Sequence, residues 1–558
     1  MSKPKVVSAT REELDELLAL ARAASFPQEK YQLLEAVLES FVYVMQMFQS
    51  TKNSLLRFRQ MLFGARTESK ANVLKAKTGG EAATKQEAAV DPPEPSPGDQ
   101  AVVAPPALPA EPAALEGKRG GHGRNGAQVY QGATVVAVEH PSLQPGTQCP
   151  HCLTGKVYAH EPRVLVRMVG QPPLAATLYQ IERLRCRMCD SVFSAPIPEG
   201  VGADRYDESC ASMIAMLRYG SGMPFFRLEG LQANLRVPLP DATQWDIVLR
   251  AVPGPRLAFA ELVRQSAQAQ VLHNDDTPMK IQALMKAAKS ASTEVDASAE
   301  PSEARAVNTS GIVALLGEHK IALFLTGPKH AGENLVQVLS HRAEELARPI
   351  QMCDPLSRNY PEHLKTILVK CLAHGRRKFV EVVDHFPEHC AYVIEVLAEV
   401  YRHDAYCRDQ KLSPEQRLVY HQEHSDPLMQ TLKTWMQAQL DQRLVEGNSG
   451  LGQALRYMIK HWHGLTQFLR VAGAPLDNNV CERALKKAIL HRKNSYFYKT
   501  TRGAEVGDIY MSLIYTCQLC GVSPFEYLQA LQVHADELKQ NAQLWLPWNY
   551  HERLAENS

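Results

Sequence analysis

The spacing of apolar residues changes character several times along this chain. From Tyr31 to Phe63, Leu34, Val37, Phe41, Val44, Phe48, Leu55, Phe58 and Leu62 recur at steps of three and four, with an interruption at Thr51. This predicts a long helix with a heptad seam within a segment spanning 10–70, stopped by Gly64 and the polar run "RTESK". Leu33, Leu38, Val42 and Met45 widen the stripe. A coiled coil that builds a homo-oligomer and an amphipathic helix packed on its own domain therefore fit equally well.

Farther along, the pattern tightens into short apolar runs. "GIVALLGEHKIALFLTG" (311–327) reads as two strands joined by a polar turn at Gly317–Lys320. "QVLHNDD", "PIQMCDP" and "TILVKCLAH" read as three more strands, and "AGENLVQVLSHRAEEL" (331–346) has helical spacing. The expected order β-β-β-α-β-α-β is that of a ribonuclease H-like core over 266–374. It puts Asp275 and Asp276 where the first strand is expected to end and Asp354 at the end of a later one. Taken alone, each acid also fits a turn, since Asp accepts backbone hydrogen bonds and Pro278 and Pro355 follow closely. Residues 201–265 look helical, with a break at "VPLP" and Asp241 as a cap, which fits a helix-turn-helix or two ordinary packed helices.

Composition divides the chain further. Residues 81–117 hold eight Pro and ten Ala and too few large apolar groups to order themselves, so 71–128 reads as a disordered linker. Its end, "GKRGGHGRNG", carries Lys118, Arg119 and Arg124, which fit a phosphate backbone or a solvated surface. An Ala, Ser and Glu-rich stretch, 286–308, reads as a loop inserted in the core. With 61 Lys and Arg against 60 Asp and Glu, attraction to nucleic acid has to come from local patches. No apolar run approaches the ~18 residues of a membrane span, and "MSKPKVVSATREEL" lacks a signal-peptide core, so the expectation is a cytoplasmic protein without a membrane partner.

The cysteines carry a separate signal. Cys149 and Cys152 ("CPHC") are answered by Cys186 and Cys189 ("CRMC"), and four thiolates in two such turns suit one structural Zn²⁺. This predicts a small β-rich zinc knuckle over 129–200, with a β-hairpin between its halves. Arg183, Arg185 and Arg187 alternate beside the second pair, as a DNA-backbone contact or a solvated face. Cys517 and Cys520 sit in an apolar helical pattern and read as buried residues.

Near the C-terminus, "PLDNNVCERALKKAILHRKN" (475–494) places Glu482 in a helix begun at Asp477 or Asn478, within a segment 471–530 that is followed by a tail, 531–558. Glu482 also fits a surface pair with Lys486. Arg483, Lys486, Lys487, Arg492, Lys493, Lys499 and Arg502 form a local cationic excess suited to DNA, and Tyr496, Phe497 and Tyr498 are candidates to stack a base.

The motifs "LFGARTESK", the paired cysteines, "VLHNDDTP", "CLAHGRRKF" and "DNNVCERALKKAILHRKNSYF", in this order over nearly the whole chain, resemble those of insertion sequence 66 family transposases. The resemblance implies a DDE triad of Asp275, Asp354 and Glu482, with a helical insertion over 375–470. Asp276 stands where the family usually has Glu, and Pro355 where it has Gly. The expected whole is a multidomain α/β chain: a ribonuclease H-like core with a helical insertion, preceded by a coiled-coil helix, a linker, a zinc knuckle and a helical region. Carboxylates of this kind would hold two Mg²⁺ or Mn²⁺ ions for strand cleavage and strand transfer at element ends. His374 would orient a phosphate or the nucleophile, or serve only structurally. Terminal inverted repeats and target DNA are the expected partners, with accessory proteins of the same element. The alternatives are a ribonuclease H-like nuclease without strand transfer and a catalytically inactive zinc-containing DNA-binding protein.

Overall fold

The computed structural model describes residues 141–152, 154–160, 171–185, 192–199, 201, 204–287, 307–360 and 365–556. The heptad segment 31–63, the linker 71–128, Cys186, Arg187, Cys189 and most of the 286–308 loop lie outside the described residues.

The N-terminal part of the described chain holds an antiparallel pair, β1 (Arg183–Arg185) and β2 (Val192–Ser194). This pair flanks the second cysteine pair, and β1 is the end of the second strand-like stretch expected between the cysteine pairs; the first, 163–170, lies outside the described residues, and 171–182 carry no strand. Helix α1 (Glu208–Ala215) follows and runs into a π-helical turn, Met216–Gly220. Then come α2 (Phe225–Asn234), α3 (Asp241–Ala251) and α4 (Pro253–Ala267). Asp241 does not cap α3: Pro240 holds the cap position, and the Asp241 N–H donates to Glu229 at 3.2 Å. The α2–α3 turn is tied by two buried glutamines instead, Gln232 to the carbonyls of Leu174 and Val237, and Gln244 to those of Phe225 and Leu239. Asp241 and Asp246 lie on the exposed face of α3, where they would repel phosphate, which favours ordinary packed helices over a recognition helix.

Strand β3 (Val271–Pro278) is the centre of a mixed five-stranded sheet. On one side it pairs antiparallel with β4 (Asn308–Leu316), which turns at Gly317, φ +56°, into β5 (His319–Gly327). Helix α5 (Ala331–Leu339) leads to β6 (Ile350–Cys353), parallel to β3 on its other side, and β7 (Ile367–Lys370) adds a parallel edge. The order is β5-β4-β3-β6-β7. Between β6 and β7 the described residues carry one 3₁₀ turn, Ser357–Asn359, where a helix was expected. "CLAH" is not strand either: its Leu372 already opens α6 (Leu372–Val382). Strand β3 runs through both aspartates, paired with β4 as far as Pro278, while its pairing with β6 stops at His273.

After α6, the helices α7 (Pro387–Asp409), α8 (Pro414–His424), α9 (Asp426–Asp441) and α10 (Gly450–Leu465) bury Val393, Leu397, Met436, Leu455 and Met458 among them. The chain then returns to the sheet with α11 (Asn479–Ser495), α12 (Thr501–Cys520), α13 (Pro524–Val533), α14 (Ala535–Asn541) and α15 (Tyr550–Glu556). One continuous core joins Ile247 and Leu262 of the N-terminal helices, Val313 and Phe324 of the sheet, and Leu528 and Trp545 near the C-terminus. Among the described residues no helix is long and apolar enough to cross a membrane.

The open edge of β5 is closed by a helix. The N–H groups of Ala322, Phe324 and Thr326 donate to Thr516 Oγ1, Ser512 Oγ and Asp508 Oδ2 at 3.1, 2.9 and 2.6 Å. Four residues of helix rise about 6.0 Å and two of strand about 6.7 Å, so side chains four apart on α12 meet every second amide of β5. Burial raises the Asp508 pKa to about 8, against the hydrogen bonds from Thr326. A Ser512→Ala, Thr516→Val double variant would leave two buried N–H groups unpaired, at about 1–3 kcal/mol each. Urea unfolding should show a lowered midpoint with an unchanged m-value; an unchanged midpoint would mean that water replaces these side chains.

Candidate active site

The register of β3 and β6 brings two carboxylates together. His273 pairs with Met352, and Asp275 and Asp354 each lie two residues beyond these partners, so both fall on the same side just past the end of the β3–β6 pairing. Helix α11 supplies the third. Asn478, buried at its start, sets Oδ1 3.1 Å from His273 Nδ1 and donates through Nδ2 to the Asn274 carbonyl at 3.1 Å. Glu482 is one turn farther along, as Asp275 is two residues beyond His273. Gly311, opposite Asp275 on β4, makes the approach possible: a Cβ there would meet Leu485 at 2.9 Å and Cys481 Sγ at 3.4 Å.

His374, on the first turn of α6, joins the acids. Its Nδ1 is 2.8 Å from Asp354 Oδ1 and its Nε2 3.7 Å from Glu482 Oε1, while Arg377 Nη2 lies 3.8 Å from Glu482 Oε2. Asp354 Oδ1 and His374 Nδ1 are buried and pair with each other, while Glu482 Oε1 is buried without a hydrogen-bond partner. Cys371 completes the cluster; its thiol, the Asp354 carboxylate and the His374 ring present ligand atoms within 4.8 Å of one another. Burial, then the Asp354 carboxylate, raises the Asp275 pKa to about 6, against the Asp276 N–H and His374. Burial lowers that of His374, but Asp354 and Cys371 outweigh it and hold the ring at about 10. Helix α10 forms a wall beside these groups, where burial and the nearby Asp354 push the Tyr457 phenol up and Lys370 Nζ meets His461 Nδ1 at 2.9 Å.

Asp276 faces elsewhere. It accepts from Ser310 Oγ at 2.7 Å and from the Ala331 N–H, the first of α5, at 3.0 Å, with His330 Nδ1 at 3.1 Å; its side chain is 1% exposed. Adjacent in sequence, the two aspartates point to opposite faces of the strand, one to the cluster and one to the helix start.

The cationic candidates separate in the same way. Arg483, Lys486 and Lys493 lie exposed along one face of α11, and Lys499 is exposed beyond it. Lys487 Nζ sits 5.7 Å from the centre of the Tyr515 ring. Arg492 is engaged, donating to Thr277 Oγ1 at 3.1 Å and to the Pro278 carbonyl. Tyr498 is buried and stacked on His491, 4.7 Å between centroids. Arg183 is exposed on β1, whereas Arg185 belongs to β1 with its side chain outside the described residues.

Of the zinc candidates, Cys149 and Cys152 occupy a tight turn in which the Cys149 N–H donates to the Gly155 carbonyl at 2.7 Å and the Gly155 N–H reaches Cys152 Sγ at 3.4 Å. Hydrogen bonds from the Thr154 and Gly155 amides lower the Cys152 pKa to about 6, as suits a thiolate ligand. Cys186 and Cys189 lie outside the described residues.

Reading the sequence missed Cys371, Arg377 and Gly311. "CLAHGRRKF" contained the signal for the first two, since a helix starting at Leu372 sets Cys371, His374 and Arg377 at intervals of three on one face. Gly311 gave no sign beyond being a glycine in a strand.

Residues 204–506, more than half of the chain, match the sequence family described as Transposase IS66 family. The chain is 35% identical over 189 residues to the uncharacterized protein y4jD of Sinorhizobium fredii (strain NBRC 101917 / NGR234), which covers 33% of this chain and 36% of that one. It is 24% identical over 383 residues to the uncharacterized protein y4hP of the same strain, 66% of this chain and 67% of the other. The third, y4qI, is 27% identical over 192 residues, 33% and 34% of the two chains. The chain thus spans about a third of the length of two of these relatives.

The two aspartates predict opposite responses. Because the folded protein raises the Asp275 pKa from 3.8 to about 6, the charged carboxylate lowers stability progressively from pH 4 to 6 and fully above that. With no divalent ion added, Asp275→Asn should be more stable than the parent at pH 7.5, by on the order of 2–3 kcal/mol, and equal to it below pH 4. Asp276→Asn should lose about 1–3 kcal/mol at pH 7.5, since the amide cannot accept all of the bonds that Asp276 accepts. Urea unfolding of both at the two pH values checks this; destabilisation by Asp275→Asn would remove it from the crowded carboxylate cluster.

Proposed function

The chain belongs to the IS66 family of transposases, and from that premise we propose that Asp275, Asp354 and Glu482 are the catalytic carboxylates of a DDE site on a ribonuclease H-like core. The observation that carries this reading is the clustering of the three acids, Asp275 and Asp354 through parallel strand register and Glu482 through His374, which lies against both it and Asp354. The sheet order, with three antiparallel strands continued by two parallel ones, supports the core assignment.

The residues fit a divalent cation. Glu482 Oε1 is a buried oxygen without a hydrogen-bond partner, Asp354 Oδ1 is buried with only His374 beside it, and carboxylates are hard ligands of the kind Mg²⁺ and Mn²⁺ take. Bound by these three side chains, two such ions would supply activation of the attacking oxygen and stabilisation of the leaving one. The chain's own part is to hold and orient. His374 fixes one oxygen of Asp354 and lies against Glu482; Arg377 offers a cation at the rim; Arg483, Lys486 and Lys493 line a track for the phosphates of an element end. Water attack at a phosphodiester of the end forms one P–O bond, breaks another and leaves a 3′-hydroxyl. That hydroxyl then attacks a target phosphodiester in the same manner. Cys149, Cys152, Cys186 and Cys189 hold a structural Zn²⁺, for which the thiolate-stabilising turn at Cys152 is the support. Residues 31–63 associate two copies to bring two ends together in the cytoplasm.

Purified full-length protein incubated with labelled element ends and Mg²⁺ should release 3′-hydroxyl ends and join them to target DNA. Asp275→Asn, Asp354→Asn and Glu482→Gln should each reduce both steps to background while retaining DNA binding. Cleavage without joining would favour the nuclease reading, and binding without cleavage an inactive DNA-binding protein. Freshly purified protein should also carry about one zinc per chain, lost in a Cys149→Ser, Cys186→Ser double variant; absence of zinc from the parent would remove the knuckle.

A further inference from the structure

We propose that Tyr496 is a base-stacking site, held out from the protein by a strained turn so that it receives an unstacked base of DNA lying along α11. The inference rests on the DNA-binding reading above and adds a site to it. Tyr496 directly follows α11 with φ +64° and ψ −42°, a conformation unfavourable for a residue with a side chain. The Phe497 N–H donates to the Ser495 carbonyl at 2.8 Å, closing a three-residue γ-turn of positive φ, a form that is rare because it is strained.

The strain is imposed from both sides. Before the turn, Asn494 Nδ2 donates to the Gly222 carbonyl at 3.0 Å and the Arg218 guanidinium holds the Ser495 hydroxyl. After it, the Tyr498 N–H donates to Lys280 at 2.9 Å, the Gln282 N–H donates back to Tyr498 at 2.9 Å, and the Tyr498 ring is buried on His491. Between these fixed points the chain has to reverse in one residue, and the residue there is 70% exposed while Tyr498 is 4% exposed. A glycine would take this backbone at no steric cost. An exposed tyrosine instead places a large rigid π-face at a defined point, and strain of this kind concentrates at functional positions.

The surroundings select the ligand. Exposed Lys493 precedes the ring and Lys499 and Arg502 follow it, with no acid anywhere between Arg483 and Ala504. Cations around an exposed aromatic fit a phosphate chain carrying bases. From Glu482 to Tyr496 is 14 residues, about 21 Å along the helix, or roughly six nucleotide steps of 3.4 Å on a strand that follows it. The base received is therefore about six nucleotides from the cleaved phosphodiester.

Full-length Tyr496→Gly, Tyr496→Phe and parent protein, each titrated against element-end DNA carrying 2-aminopurine at successive positions, provide the test. The parent should change the fluorescence of the probe most at about the sixth nucleotide, and Tyr496→Phe should reproduce this. Tyr496→Gly should abolish the change and weaken binding roughly five- to hundredfold, while its unfolding midpoint stays the same or rises as the turn relaxes. Unchanged affinity and fluorescence in Tyr496→Gly would overturn the inference and leave the transposase reading standing; so would a fall in its unfolding midpoint that accounts for the lost binding. A parent protein that does not bind element ends would sink both.

Discussion

The contact on which the rest depends is the seam between α11 and β3. Polar contacts pin it at both ends, where Asn478 meets His273 and the Asn274 carbonyl and Arg492 reaches Thr277 and Pro278; between them Cys481 Sγ donates to the Gly311 carbonyl of β4 at 3.3 Å, beside the buried Ala484, Leu485 and Ala488. Beyond the helix the same chain continues beside Lys280 and Gln282 through Tyr498. A slip of one turn, about 5.4 Å, would unpair these groups, those of Asn478 and Cys481 in a buried setting. Glu482 is thereby fixed relative to Asp275 to within less than a turn of helix. Gly311 sets how closely the helix lies, since any side chain in its place would contact Leu485 before the seam closed.

That precision works against electrostatics. Burial and the neighbouring carboxylate raise the Asp275 pKa toward neutrality, which is the cost of crowding acids where water is scarce. His374 offsets part of it and Arg377 lies against Glu482, and both come from α6, whose position is set by the helices inserted after β7. A Cβ at Gly375 would lie 2.5 Å from Met458 Sδ, and one at Gly464 would lie 2.8 Å from Lys370, so α10 packs directly against α6 and β7. The insertion therefore belongs to the site: it fixes the cationic side of a cluster whose acidic side is fixed by the sheet and α11.

What the sequence disclosed follows from how local each feature is. Strands β4 and β5 and helix α11 announced themselves through their own periodicity, and Asp354 could be placed at the end of β6 because an apolar run stops there. Asp275 was harder, since the chain remains a strand past it; what ends at His273 is the pairing with β6, a property of two segments 79 positions apart. Whether a charged side chain is committed to its own protein was not legible at all. Arg492 and Lys493 are neighbours in one basic run, yet one staples the seam and the other faces solvent, and the difference lies in Thr277 and Pro278, more than 200 residues upstream. The same holds for Asp276, whose partners Ser310 and Ala331 come from two other elements.

The physical unit is also longer than the stretch recognisable by family likeness. The match ends at residue 506, in the first turns of α12, but the edge of β5 is closed by Asp508, Ser512 and Thr516. Without them three amides of an otherwise apolar strand would face open space, a template for pairing with another chain. Strand β5 supports β4, β4 carries Gly311 beneath α11, and α11 carries Glu482, so the closure of the sheet edge reaches the acids through three successive contacts. Residues 507–520 are thus part of what holds the carboxylate cluster together.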